Sequence, residues 1–408
     1  MIHILFSIAF FGFSSFTIVY VLYFLFVLRN PKREEYLKLI ENAFKQELSL
    51  RQLPIVSILV PAYNEKEVIS RKLQNISVID YPHEKIEVIL IDDCSTDKTA
   101  SVAQQVFDKL NLQGKVIRNS KRLGVNACYN IGVAESKGDL ILTTDADVTI
   151  ENDALIKGVK IFESLENVGG ITGKMVPSSN NLTSAVFVEK SYRSIYDSSS
   201  TTESAIHSTF PGYTCFTLMK KSAFSQLPPH YGSSDGNISL AIIRKGLRFL
   251  SIPGILFYEP VSIKLSEQKR QKIRRAARMI QSILANKDMI FKENYGSFGK
   301  IVFPLRFAMM IISPILFLLG LVTTVLATML VSMPLGLFLT LIFLSGVYLG
   351  AKSNMSKLTL FSSLVVHQYY LLLGLFSSQK RVTVWRPVER SSMSFEGLEA
   401  TSQPSSTK

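Results

Sequence analysis

Leu140-Ile141-Leu142-Thr143-Thr144-Asp145-Ala146-Asp147 is the stretch from which the fold is read. The apolar run, bounded by Gly138 and the acidic pair, reads as a buried strand whose carboxyl end delivers Asp145 and Asp147 into a cleft. Residues i and i+2 of an extended segment face the same side, so both carboxylates address one ligand. Hard carboxylate oxygens suit Mg²⁺ or Mn²⁺, and a cation held by one or two of them keeps positions open for substrate phosphates. An acidic pair standing alone is more often a plain turn, so its neighbours in the chain decide.

Upstream, Ile55-Val56-Ser57-Ile58-Leu59-Val60 reads as a buried strand ending at Pro61. Ala62-Tyr63-Asn64-Glu65 then offers a turn, with Asn64 as N-cap of a helix running to about Ser77. A second strand, Glu87 to Ile91, delivers Asp92-Asp93-Cys94-Ser95-Thr96-Asp97. Strand, helix and strand of this length form a βαβ unit with parallel strands, so the class is α/β with a mostly parallel central sheet. Ligands of such sheets sit outside the carboxyl ends of the strands. Asp92 and Asp93 fall there and can accept from a base N–H or a ribose hydroxyl, while Ser95, Thr96 or Asp97 caps the next helix. Lys115-Val116-Ile117 is a third strand, and residues 121–130 turn into a helix whose small face is Gly124, Ala127 and Ile131. Lys121 and Arg122 at its start either reach a diphosphate or form a solvated basic turn.

Residues 55–260 resemble a family 2 glycosyltransferase domain of the GT-A fold. Pro61-Ala62-Tyr63-Asn64-Glu65, Asp92-Asp93-x-Ser95-x-Asp97-x-Thr99 and Asp145-Ala146-Asp147 follow its motifs in order. The resemblance implies a nucleotide-sugar donor, held by Pro61, Ala62, Tyr63, Glu65, Asp92, Asp93, Ser95, Arg122 and Asp145. It places the uridine on Tyr63, Glu65 and Asp93, and a metal bridging the diphosphate on Asp145 and Asp147.

Further on, Gly169 to Met175 reads as a strand, residues 182–198 as a helix, and Phe210 to Phe216 as a turn into a strand that resembles the family's acceptor-facing segment. Gly232-Ser233-Ser234-Asp235-Gly236-Asn237 precedes a helical stretch from Ile238 to Lys245. The family writes an acid and then a final Asp at this place; here Ser234 replaces the first, and Asp235 matches the implied general base. Asp235 is also placed to cap the helix, and the two roles are compatible.

From Lys264 the chain turns basic, with apolar residues recurring at helical spacing, as in an amphipathic helix at a membrane surface. Gln271-Lys272-Ile273-Arg274-Arg275 resembles the Q-x-x-R-W motif of membrane-bound polysaccharide synthases. That implies contacts from Gln271 and Arg274 to the diphosphate, with Arg275 standing where Trp stacks under the acceptor sugar. Arginine can donate to hydroxyls or phosphate but offers no comparable flat apolar platform, which speaks against processive polymerisation.

Ile4 to Leu28 is long enough to cross a bilayer. Arg29, Lys32 and Arg33 follow it in place of a small-residue cleavage site, so it reads as an anchor with residue 29 onward in the cytoplasm. Residues 301–351 hold about two spans' worth of apolar sequence, broken at Ser332-Met333-Pro334. Leu358 to Phe376 is a further apolar segment, re-entrant or interfacial because it contains His367 and Gln368, and Gly320, Gly336 and Gly346 would permit close helix packing. The tail around Val384-Trp385-Arg386-Pro387 resembles the cytoplasmic tail of related synthases. Cys94, Cys128 and Cys215 are far apart and suggest neither a disulfide framework nor zinc. With membrane spans present, the net charge of +13 points to anionic lipids and not to nucleic acid.

The expected organisation is an anchor (1–30), a juxtamembrane linker helix (31–54), a cytoplasmic GT-A domain (55–262), a basic interfacial helix (263–300), a C-terminal transmembrane region (301–378) and a cytoplasmic tail (379–408). The expected function is a multi-pass cell-membrane enzyme transferring a sugar with inversion from a UDP-sugar to a glycan or lipid-linked acceptor. In it, Asp235 is the base, and Gln271, Arg274 and Arg275 close over the diphosphate. A polyprenyl-phosphate glycosyltransferase and a catalytically silent nucleotide-binding partner are the alternatives. A sugar-nucleotide pyrophosphorylase would want similar carboxylates but no membrane spans.

Overall fold

The structure, a computed structural model, describes residues 1–178, 184–211, 214–260, 265–352 and 356–379. An apolar helix α1 (Ile2–Tyr23) continues through a wider turn to Leu28 and leads into α2 (Lys32–Lys45). Then come β1 (Val56–Ala62), α3 (Lys66–Ser77), β2 (Ile86–Asp92), α4 (Thr99–Leu110), β3 (Gly114–Arg118), α5 (Val125–Glu135) and β4 (Leu140–Thr144). The second half holds β5 (Thr149–Ile150), α6 (Ala154–Ser164), β6 (Val168–Ser178), α7 (Ser184–Ile206), β7 (Phe216–Lys220), α8 (Ser234–Arg244) and β8 (Arg248–Pro260). The chain continues with α9 (Leu265–Ala285), α10 (Phe303–Phe307), α11 (Ser313–Val331), α12 (Met333–Lys352) and α13 (Ser356–Ser377).

The strands form one sheet in the order β3-β2-β1-β4-β7-β6-β8-β5. β3, β2, β1 and β4 are mutually parallel, whereas β7 runs against both β4 and β6. Both faces are covered, which is why β1 and β2 read as unbroken apolar runs. Ile58, Val60, Val88 and Leu90 belong to the core on the side of α3 and α4, while Leu59, Ile89 and Ile91 face α5. On α5 the buried residues are Asn126, Cys128, Tyr129, Gly132 and Val133; of the small face expected from the sequence, Gly124 is buried just before the helix and Ala127 and Ile131 are half-buried. A Cβ on Gly132 would lie 3.0 Å from Leu59, so the close approach is one turn further on.

Register places the site. Ala62 pairs with Asp92, Asp92 with Arg118, and Leu59 with Thr143, so β1, β2 and β4 end at one edge. Because β7 is antiparallel, with Phe216 opposite Thr144, it is its start, at Thr214 and Cys215, that meets that edge.

Among the described residues three helices are long and apolar enough to cross a membrane, Ile2–Leu28, Phe298–Val331 and Met333–Gly350, and Phe361–Ser377 is a shorter apolar stretch. The break between the second and third falls at Ser332, as the sequence suggests. α1 and α11 touch through glycine: a Cβ on Gly12 would stand 2.9 Å from the Leu316 carbonyl oxygen, and one on Gly320 3.1 Å from the Phe13 ring. Gly12→Leu therefore cannot be accommodated by a side-chain shift alone. It is expected to cost about 1–3 kcal/mol, read as a lower melting temperature in detergent. Gly346 has nothing within 4 Å of its Cβ position and serves no such contact. Gln368 on α13 is buried, donates to the Tyr20 hydroxyl at 2.7 Å and accepts from Ser313 Oγ at 3.4 Å, which ties α13 to α1 and α11.

One buried ion pair joins the first apolar helix to the sheet domain. Glu203 of α7 accepts from Arg306 Nε at 2.6 Å and Nη2 at 3.1 Å, from the Tyr23 hydroxyl at 2.7 Å and from Thr209 Oγ1 at 2.7 Å.

Candidate active site

The loop after β1 and the loop after β2 are one construction. Asn64 turns the chain at φ +55°; its N–H donates to Ser95 Oγ at 2.9 Å and its Oδ1 accepts from Thr96 N–H at 2.9 Å. The open N–H groups at the start of α3 are met from across: Glu65 N–H by Thr99 Oγ1 at 2.9 Å and Lys66 N–H by Asp97 Oδ2 at 3.1 Å. Asn64 is thus not the side-chain cap of α3 that the sequence suggests. Ser95, Asp97 and Thr99 brace the Pro61-to-Glu65 segment instead.

Asp92 is fully buried at the end of β2, and its Oδ1 accepts from Ser95 N–H at 3.2 Å. Its Oδ2 accepts no hydrogen bond and faces Arg118 Nε at 3.4 Å. Asp93 is engaged on both oxygens: Oδ1 accepts from Asn119 Nδ2 at 3.0 Å and Leu123 N–H at 2.8 Å, and Oδ2 from Gly124 N–H at 2.8 Å. Asp93 so fixes the loop that carries Arg122, whose guanidinium lies 3.4 Å over the Tyr63 ring. Tyr63 and Arg122 together give a flat cationic-aromatic platform. Pro61 and Ala62 are the last residues of β1, opposite Ile91 and Asp92.

Asp145 and Asp147 leave β4 close enough that each charge acts on the other. Burial first and then Asp147 push the Asp145 carboxyl up to about 7, while a hydrogen bond with Cys215 and the charge of Lys72 oppose the rise. Two partly buried like charges of hard oxygen are a donor set that a divalent cation would relieve. Among the described residues no cluster of three or more His, Cys, Asp or Glu is arranged to hold a metal.

On the far side of the cleft, Ser233 caps α8, its Oγ accepting from Gly236 N–H at 3.1 Å. The N-cap of α8 is thus Ser233 and not Asp235, whose carboxylate meets its own N–H in the first turn. Asp235 is 5 % exposed, and its Oδ2 accepts from Thr214 N–H at 3.1 Å. Burial, helped by the Asp145 charge and opposed by the Thr214 N–H and by Arg275, pushes Asp235 up to about 7. The loop is pinned to α9: Gly232 N–H donates to Gln281 Oε1 at 3.0 Å, and Ser233 N–H to Ser282 Oγ at 3.0 Å.

α9 brings its cations to the same place. Arg275 Nη2 donates to Glu259 Oε1 at 2.8 Å, and Glu259 in turn raises Asp145. Arg278 is pushed down to about 10 by burial and by Arg274, while the Asp235 charge acts against that. Gln271 and Arg274 are half-buried on the same helix. Gly212 and Tyr213 of the acceptor-facing segment, and the tail from residue 380, lie outside the described residues.

Sequence reasoning missed Lys72, Glu259 and Cys215, and assigned Arg278 only to a membrane surface. Lys72 had a signal: it interrupts the apolar stripe Ile69, Leu73 and Ile76, where a lysine is out of place unless it has partners.

Residues 57–227 match the family described as Glycosyl transferase family 2. A probable glycosyltransferase of Bacillus subtilis, YdaM, is 32% identical over 166 residues, 40% of this chain and 39% of that protein, so the chain spans well under two thirds of that relative's length. The dolichyl N-acetyl-alpha-D-glucosaminyl phosphate 3-beta-D-2,3-diacetamido-2,3-dideoxy-beta-D-glucuronosyltransferase of Methanococcus voltae is 26% identical over 274 residues, 64% of this chain and 81% of that protein. In structure, the mannosyltransferase PcManGT of Pyrobaculum calidifontis, solved with GDP-Man and Mn²⁺, superposes with a TM-score of 0.70. That likeness covers 92% of this chain and 99% of the other at 20% identity, and it is a likeness of fold. Residues 57–227 are therefore similar to a family 2 glycosyltransferase domain, and the fold is the GT-A fold.

Proposed function

We propose that the chain is a membrane-bound inverting glycosyltransferase that moves a sugar from a nucleoside diphosphate sugar, a UDP-sugar in our reading, to a hydroxyl of a glycan or lipid-linked acceptor. The observation that carries this reading is Asp235: a buried carboxylate beside the N-cap Ser233, pushed up to about 7 and close enough to Asp145 to feel its charge. A base of that kind takes the acceptor proton as the bond from the anomeric carbon to the diphosphate breaks.

The donor's base and ribose lie against Tyr63, Arg122, Glu65, Asp92 and Asp93. The Pro61–Ala62 segment and Ser95 hold the shape of that pocket. Asp145 and Asp147 would hold a divalent cation, and its chemistry when bound is to neutralise the diphosphate as charge develops on it. Gln271 and Arg274 add positive and polar character on the leaving-group side, and Arg275 acts through its pair with Glu259. Because Asp235's loop is bonded to α9, and α9 packs on the apolar α13, the acceptor hydroxyl approaches from the membrane side. The cations after the first apolar helix support a catalytic domain on the cytoplasmic face of the cell membrane. GDP-Man and Mn²⁺ in the P. calidifontis protein, and the dolichyl-linked sugar phosphate in the name of the M. voltae relative, support a nucleotide sugar, a divalent cation and a lipid-linked acceptor. Arg278 beside Asp235 favours a second acceptor class, a polyprenyl phosphate, which would use the cation and dispense with the base.

Product analysis tests this reading. The purified chain with Mn²⁺, nucleotide sugar and a native lipid extract is expected to yield a glycoside whose anomeric configuration, read by proton NMR, is opposite to the donor's. Retention would overturn the mechanism. A pH profile tests the base: Asp235 works only deprotonated and sits at about 7, so kcat/KM is expected to rise about tenfold per unit up to that region and then level. A cation on Asp145 removes one charge that raises Asp235, so the limb moves lower as metal saturates.

A further inference from the structure

The splint beneath the acidic pair is unassigned by any motif. Lys72 is 2 % exposed, in the middle of α3. Its Nζ donates to Thr144 Oγ1 at 2.8 Å and to the Val148 carbonyl oxygen at 2.8 Å. Those two residues bracket Asp145-Ala146-Asp147 on either side. One turn along α3, Asn75 holds the next stretch, donating to the Ile150 carbonyl and accepting from Ile150 N–H, both at 2.8 Å. α3 thus grips residues 144–150 at three points, and Lys72 is the grip nearest the acids. Its charge is felt by both Asp145 and Asp147. A buried amine is costly where an apolar residue would pack as well, so its place under the acids calls for a reason.

We propose that Lys72 is a positioning residue, closing the Asp145–Asp147 turn from beneath so that both carboxylates converge on one divalent cation. The inference rests on the reading that these two acids hold that cation. The grip does not depend on the charge: an amine keeps two N–H donors when neutral, and two are used. The sign of the effect separates geometry from electrostatics. If Lys72 acted only as a charge, its removal would leave the acids more negative and tighten cation binding; if it positions them, its removal weakens binding.

The experiment is Mn²⁺ binding to the detergent-purified full chain, read from the free-ion signal in electron paramagnetic resonance, with UDP binding in the absence of metal as the control. Lys72→Met is expected to weaken Mn²⁺ by about tenfold or more, as loss of a group supporting metal ligands commonly does, with metal-free UDP affinity unchanged. Thr144→Val, which removes one acceptor at constant volume, is expected to weaken Mn²⁺ by about threefold, and the double variant to be no worse than Lys72→Met alone. Mn²⁺ affinity equal to or tighter than the parent's in Thr144→Val, or in a folded Lys72→Met, overturns the proposal, and the first of these decides even where Lys72→Met does not fold. A parent chain that binds no Mn²⁺ overturns the metal reading and this one together. A parent that binds it and variants that are unaffected overturn this one alone.

Discussion

Asp235→Asn is expected to lower kcat by about 10²–10⁴ while leaving nucleotide affinity close to that of the parent. The side chain keeps its shape and can still accept from Thr214 N–H, so α8 and its loop stay in place. Ser233 still caps the helix, and Gln281 and Ser282 still hold Gly232 and Ser233. What is lost is the lone pair that takes the acceptor proton. In the proposed reading donor affinity is set at Tyr63 and Arg122, away from Asp235, and has no reason to change. Full activity in Asp235→Asn would favour a phosphate acceptor, whose oxygen needs no base. Loss of donor affinity would show that Asp235 serves the fold of the cleft and not the reaction.

Arg306→Met is expected to cost about 3–5 kcal/mol of stability, because it strips the fully buried Glu203 carboxylate of the cation paired with it. Glu203 would keep two neutral donors, the hydroxyls of Tyr23 and Thr209. The Arg306 guanidinium also lies 5.8 Å from the Tyr23 ring centre and 5.5 Å from that of Tyr196, contacts that go with it. Since Tyr23 belongs to the first apolar helix, Glu203 to α7 and Arg306 to α10, the effect is expected to loosen the joint between membrane region and sheet domain. Thermal unfolding in detergent checks it, and Arg306→Met with Glu203→Leu is expected to recover most of the loss. A single variant as stable as the parent would mean the pair is not the joint.

The fold was legible because its signals are local. Leu140-Ile141-Leu142 before Asp145, and Glu87 to Ile91 before Asp92, are apolar runs ending in acids, and parallel register brings such ends to one edge. What depends on partners distant in the chain was not legible. Ser95 and Asp97 are written like ligand contacts, yet their oxygens hold the backbone of Asn64 and Lys66. Asp93 spends both oxygens on the loop that carries Arg122, and the buried Asp92 turns Oδ1 to Ser95 N–H and Oδ2 to Arg118. The direction of β7, which sets Cys215 beside Asp145, has no mark in its own residues, and Glu259 becomes a site residue only because α9 returns Arg275 to it. Asp235 lay between cap and base on sequence grounds, and the Ser233 hydroxyl assigns the cap elsewhere.

The central claim, that this cleft breaks a nucleotide sugar between the sugar and the diphosphate, is tested most directly by incubating the detergent-purified chain with each common nucleotide sugar, Mg²⁺ or Mn²⁺, and native lipids, and following the nucleotide product. The account expects nucleoside diphosphate, released only with a divalent cation present and lost in Asp235→Asn. Release of pyrophosphate, or no nucleotide product from any donor although the chain binds one, would contradict it.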